Sequence, residues 1–125
     1  MIHVEIANRS GAPVDEAAVA DLCRRVLAAE GVADGDLGVV FEPPERIREL
    51  KRLHLGVDET TDVLSFPIDV RDDLPAGVPR QLGDVVLCPQ VVGEAWRPPL
   101  VHGLLHLLGY DHGAEMERRE RTHGP

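Results

Sequence analysis

Residues 2 to 8, IHVEIAN, alternate apolar and polar and put Ile2, Val4 and Ile6 on one face, as in a half-buried strand. Gly11-Ala12-Pro13 turns the chain, and Pro13 suits an early helix position. From 14 to 29 the period lengthens. Val14, Ala18, Leu22, Val26 and Ala29 make a helical stripe, Val19, Cys23 and Leu27 widen it, and Gly31 follows as a stop. Residues 37 to 42, LGVVFE, read as a second strand. Pro43-Pro44 opens a second helix with Ile47, Leu50 and Leu53 on one face. Arg46, Arg48, Lys51 and Arg52 on its outer face read as a solvated surface or, alternatively, a phosphate-binding one.

The second half is more broken. Residues 54 to 61 read as a loop and 62 to 68 as a third strand, with Pro67 marking a sheet edge or strand end. Residues 69 to 82, rich in Asp, Pro and Gly, read as a surface loop, and 83 to 88 as a short apolar strand. Residues 89 to 97 have no clear period and contain the only tryptophan, Trp96. Pro98-Pro99 starts a helix that ends at Gly109. Residues 114 to 122 suit a short final helix, and the tail from 123 to 125 is expected to fray. The order β-α-β-α-β-β-α-α predicts one α/β domain over residues 1 to 125, with a mixed sheet of about four strands covered by helices.

Composition adds few constraints. With aromatics at 3%, aliphatic side chains must fill the core. Cys23 and Cys88 fall in apolar patterns and read as reduced core thiols. No apolar run approaches the roughly 20 residues of a membrane span, and the N-terminus lacks the pattern of a signal peptide, so a cytoplasmic protein is expected. The net charge of −9 disfavours nonspecific nucleic-acid binding, although a local basic cleft or a bound cation would offset it.

The chemistry concentrates in His102-Gly103-Leu104-Leu105-His106-Leu107-Leu108-Gly109-Tyr110-Asp111-His112. His102 and His106 are one turn apart on a helix, and a left-handed Gly109 lets the chain turn back and bring His112 to the same point. Three imidazoles with one position left open match a catalytic zinc site and point to metal-assisted hydrolysis. The spacing is that of metzincin proteases, but their glutamate base follows the first histidine, where this chain has Gly103. Asp111 has two readings, an acceptor that orients a ligand imidazole or a cap of the turn or the next helix. Asp84 reads as a turn or capping residue. His3, His54 and His123 fall outside the pattern, and His123, in the fraying tail, is taken as a non-ligand.

The histidine segment, with Thr61-Asp62-Val63-Leu64-Ser65-Phe66-Pro67 and Leu82-Gly83-Asp84-Val85-Val86, resembles the YbeY family of bacterial endoribonucleases over nearly the whole chain. The resemblance implies a cytoplasmic, single-domain, metal-dependent enzyme. It would cut single-stranded RNA in maturing the 3′ end of 16S ribosomal RNA and in ribosome quality control, with one zinc ion on His102, His106 and His112. Three features depart from the family pattern. Leu55 stands where many members carry an arginine, so Arg52, about one turn earlier, is the candidate to supply that charge. The stretch from Cys88 to His102 is short, and so is the helix after His112. Lys51, Arg80 and Arg97 are further candidate phosphate contacts, and Phe66 and Trp96 are core residues or base-stacking platforms. Two other functions fit the residues: a small metallohydrolase or protease in which Asp111 acts as base, and a non-catalytic ribosome-assembly factor with structural zinc.

Overall fold

The computed structural model describes residues 1–69, 74, 75 and 77–124. Among them the order is β1 (Ile2–Asn8), α1 (Glu16–Ala29), β2 (Gly35–Phe41), α2 (Pro44–Leu55), β3 (Val63–Pro67), β4 (Gln81–Leu87), α3 (Pro89–Val92), α4 (Arg97–Leu107) and α5 (Ala114–His123). The sheet runs β1-β2-β4-β3. β1 pairs with β2 and β2 with β4 in parallel, while β3 lies antiparallel to β4 at the edge. This is the mixed four-stranded α/β sheet expected, with Pro67 on an edge strand, where its missing N–H is tolerated.

Period-two alternation assigns the two faces. Leu37, Val39 and Phe41 of β2 and Val85 and Leu87 of β4 point to the face covered by α1, α4 and Met116 of α5. Leu64, Val86 and Cys88 point to the other face, beneath Ile47 and Leu50 of α2. Cys23 and Cys88 are free and buried, and burial pushes the Cys23 thiol up to about 12, so it behaves as an apolar core group. No helix among the described residues is long and apolar enough to cross a membrane.

Several boundaries differ from the sequence expectation. α1 starts at Glu16, because the Asp15 carboxylate accepts from the Ala18 N–H at 3.1 Å and caps the helix there, leaving Pro13 and Val14 outside. α2 runs on into the expected loop until Gly56, at φ 71°, ends it. Leu53 does not share the face of Ile47; it is 58% exposed. Asp84 is neither a turn nor a cap: it lies within β4, with its Oδ1 against Gly38, where a Cβ would come within 2.0 Å. The unassigned stretch forms the single turn α3, so the short lead into α4 still carries helix. α5 includes His123, whose side chain is 6% exposed and docked, so the expected fraying does not occur there. Of the expected loop from 69 to 82, residues 70–73 and 76 lie outside the described residues, as does Pro125 of the tail.

Candidate metal centre

α4 is fixed by close packing. A Cβ on Gly103 would lie 2.7 Å from Val85 Cγ1, 3.1 Å from Ser65 Oγ and 3.2 Å from Val63 Cγ2. Glycine therefore lets the helix backbone rest on β3 and β4, and the Ser65 hydroxyl donates to the Gly103 carbonyl at 3.0 Å. Leu100, Leu104 and Leu107 anchor the same side of the helix in the core. The position after the first histidine is thus a contact with the sheet. A glutamate there would have nowhere to go, which removes the protease base on steric grounds as well as by identity.

Gly109 ends the helix as expected, at φ 94°. Its N–H donates to the His106 carbonyl at 3.0 Å and the Tyr110 N–H to the Leu105 carbonyl at 3.1 Å, the two bonds of a Schellman motif. The chain reverses and delivers His112. The nitrogens that His102, His106 and His112 offer lie within 4.8 Å of one another.

The ring orientations favour a cation. His106 Nδ1 donates to the Tyr110 carbonyl at 2.9 Å, and His102 Nδ1 faces Glu120 Oε2 at 3.3 Å. These acceptors hold the Nδ1 protons, so the Nε2 lone pairs of both rings point inward, 3.1 Å apart. Two ligand nitrogens on a tetrahedral zinc would sit about 3.3 Å apart. Burial, then the neighbouring His102, holds His106 below the usual histidine pKa, against the pull of the Tyr110 carbonyl. Two imidazoles oriented through their Nδ1 atoms, with a third beside them, suit a zinc-like divalent ion, and the three could hold one.

The acceptors behind the rings are thus Glu120 and the Tyr110 carbonyl, not Asp111. Asp111 is exposed beside His112, and α5 begins at Ala114 with Gly113 at its N-cap position and no side-chain cap. Sequence reasoning missed Glu120, which lies 18 residues from His102. The available signal was its place one turn from the end of α5, the helix that leaves the histidine turn.

A second missed residue is Glu30. Its carboxylate accepts from the Tyr110 hydroxyl at 2.7 Å, from Arg119 Nε at 2.8 Å and from His123 Nε2 at 2.7 Å. Burial alone would raise its pKa, but the bonds from Arg119, Tyr110 and His123 outweigh that and hold it below the usual value. Glu30 thereby ties the end of α1 to both the histidine turn and α5. His123 is structural, and lies outside the histidine cluster as expected.

The cluster opens onto a cleft of about 1120 Å³ walled by α2, the edge strand β3 and the start of α4. Lys51, His54, Leu55, Phe66 and Asp111 line it, and Arg52 does not. Phe66 packs on the minor core and meets the His54 ring edge-on at 4.9 Å. Trp96 packs against the main core with Arg97 over its ring at 4.3 Å. Neither Arg97 nor Arg80 lines this cleft; Arg80 donates to the Asp69 carbonyl.

The family model described as Endoribonuclease YbeY matches residues 5–123. A protein named Endoribonuclease YbeY from Salinispora tropica is 40% identical, covering 95% of this chain and 88% of its own. One of the same name from Thermobifida fusca is 39% identical over 95% of this chain and 86% of its own. The solution structure of TM1509 from Thermotoga maritima superposes with a TM-score of 0.58 over 98% of this chain and 86% of its own, at 24% identity, a likeness of fold. With a family match across nearly all its residues, and with relatives this similar end to end, the chain belongs to the YbeY family.

Proposed function

We propose that the protein is a zinc-dependent endoribonuclease that cuts single-stranded RNA, acting in the cytoplasm on ribosomal RNA at the 3′ end of the 16S species and in ribosome quality control. The observation that carries this reading is the gathering of three imidazoles, each with a nitrogen within 4.8 Å of the others, on one wall of an open cleft, in a chain whose relatives bear the name Endoribonuclease YbeY. His102, His106 and His112 would be the ligands. With zinc bound they would supply Lewis-acid chemistry, which stabilises the negative charge that builds on a phosphate during cleavage.

The chain's own residues supply the rest. Glu120 and the Tyr110 carbonyl fix two rings so that their Nε2 atoms face inward. Phe66 and His54 on the cleft wall give an unpaired base a surface to stack on. Asp111, exposed beside His112 and lining the same cleft, would accept the proton of the attacking oxygen. The close contact at Gly103 weighs against the protease alternative.

The test pairs metal analysis with cleavage of a labelled single-stranded RNA, for wild type and His112→Ala. Wild type should bind one equivalent of zinc and cut the single strand faster than its duplex, and His112→Ala should lose both zinc and cleavage. Metal-loaded wild type that leaves RNA intact would overturn the nuclease reading in favour of a structural site. Peptide release from casein with RNA uncut would favour a protease. Continued cleavage at a 2′-deoxy position would identify water, rather than the ribose hydroxyl, as the attacking group.

A further inference from the structure

The cleft that holds the histidine cluster is short of positive charge. Among the described residues lining it, Lys51 is the only lysine or arginine. The helical phase of α2 explains why. Ile47 is buried and Leu50 half-buried, and Lys51 and His54 complete the same i, i+3, i+4, i+7 face, which turns Arg52 out of the cleft. Lys51 is also the most enclosed of the α2 bases that form ion pairs. Its side chain is 17% exposed, against 45% for Arg46 and 53% for Arg48. Its ammonium donates to Glu59 Oε1 at 2.8 Å, and Glu59, on the loop that follows α2, is 63% exposed.

We infer that Lys51 is the phosphate-binding cation of this cleft and that Glu59 holds the ammonium as an internal stand-in for an RNA phosphate. The inference rests on the nuclease reading and adds a specific contact to it. The ammonium has one strong anionic partner, and that partner sits mostly in water on a loop, so a phosphate can replace the carboxylate with little loss of packing. Leu55, one turn further along α2 in the same cleft, carries no charge, so the electrostatic hold on the RNA backbone falls to Lys51. Competition makes the two partners act in opposite directions: removing Lys51 weakens RNA binding, and removing the charge of Glu59 strengthens it. A pair that served only the fold would move both variants the same way.

The test measures binding of a nuclease-resistant single-stranded 2′-O-methyl phosphorothioate oligonucleotide to the zinc-loaded protein across a salt series. Lys51→Ala should bind about fivefold to tenfold more weakly, with a salt slope lower by about 0.7, the loss of one phosphate contact on a single strand. Lys51→Arg should restore most of the affinity, and Glu59→Gln should bind about twofold to fivefold more tightly. Denaturation midpoints near that of wild type establish that each variant is folded. Equal affinity and slope for Lys51→Ala and wild type would overturn the inference, as would weaker binding by Glu59→Gln, or a loss confined to Arg52→Ala. The nuclease reading fails separately. Wild type that cuts no RNA but shows these opposed shifts leaves the Lys51 contact standing, and wild type that cuts RNA while Lys51→Ala binds normally removes only that contact.

Discussion

The three converging imidazoles are held by two different kinds of support. His102 and His106 come from a helix whose backbone rests on the sheet at Gly103, so core packing sets their positions. His112 comes from an exposed turn, located by the Schellman bonds at Gly109 and by Tyr110 anchored on Glu30. Packing resists small changes because it has no slack. A polar anchor concentrates its effect in a few bonds and responds to pH and to single substitutions. The two halves of the site should therefore fail differently.

The largest effect is expected in the packed half. Gly103→Glu should yield no folded protein. Gly103→Ala should cost about 1–3 kcal/mol in urea denaturation despite alanine's better helix propensity, because Val85 and the β3 side chains must move. A normal denaturation midpoint for Gly103→Glu would show that the helix can lift from the sheet.

Next comes the anchored half. Glu30→Gln should lose about 2–3 kcal/mol. That is less than for a fully buried pair, since the Arg119 side chain is 33% exposed. Zinc affinity should fall with it as the turn loosens. The pH dependence has a definite sign. The folded pKa of Glu30 lies below its ordinary 4.5, so its contribution is complete above about that value and disappears as pH falls through the lower folded value. The Glu30→Gln protein should show a flatter loss of stability in acid, and an unchanged profile would remove Glu30 from this role.

The smallest effect tests the boundary between the halves. Glu120→Gln keeps the shape of α5 but weakens the acceptor behind His102. Zinc affinity by competitive chelator titration should fall about tenfold, with the urea midpoint nearly unchanged. An equal fall in stability would instead make Glu120 part of the structural anchor.

Periodicity made most of this architecture legible. Strand alternation put Ile2, Val4 and Ile6 on the face that packs against the core, the apolar runs at 37 to 42 and 83 to 88 located two further strands, and the four-residue step from His102 to His106 with Gly109 beyond it located the cluster. The errors have physical causes. Leu53 was assigned to the inner face and Lys51 to the outer one by spacing, and Arg52 was chosen for its place one turn before Leu55, but the rotation of a helix is set by what it packs on, and that packing puts Lys51 inward beside Leu50 and leaves Arg52 and Leu53 exposed. Glu30 and Glu120 were missed because a polar contact across 80 or 18 residues leaves no periodic trace. His123 was read as tail because its terminal place and polar neighbours say nothing of a distant buried carboxylate.

The strand order carries a kinetic consequence. β2 and β4 are neighbours, and Val39 opposite Val85 pairs residues 46 apart in sequence (85 − 39). Closing so long a loop is slow compared with forming helices or the β3–β4 pairing. α4 has no seat until β3 and β4 are in register, because the groove that accepts Gly103 is made from both strands. His102 and His106 can therefore be seated by the faster β3–β4 pairing, before β2 joins β4, whereas the turn carrying His112 is held only once Glu30 at the end of α1 meets Tyr110, so the ligand set is completed in two steps.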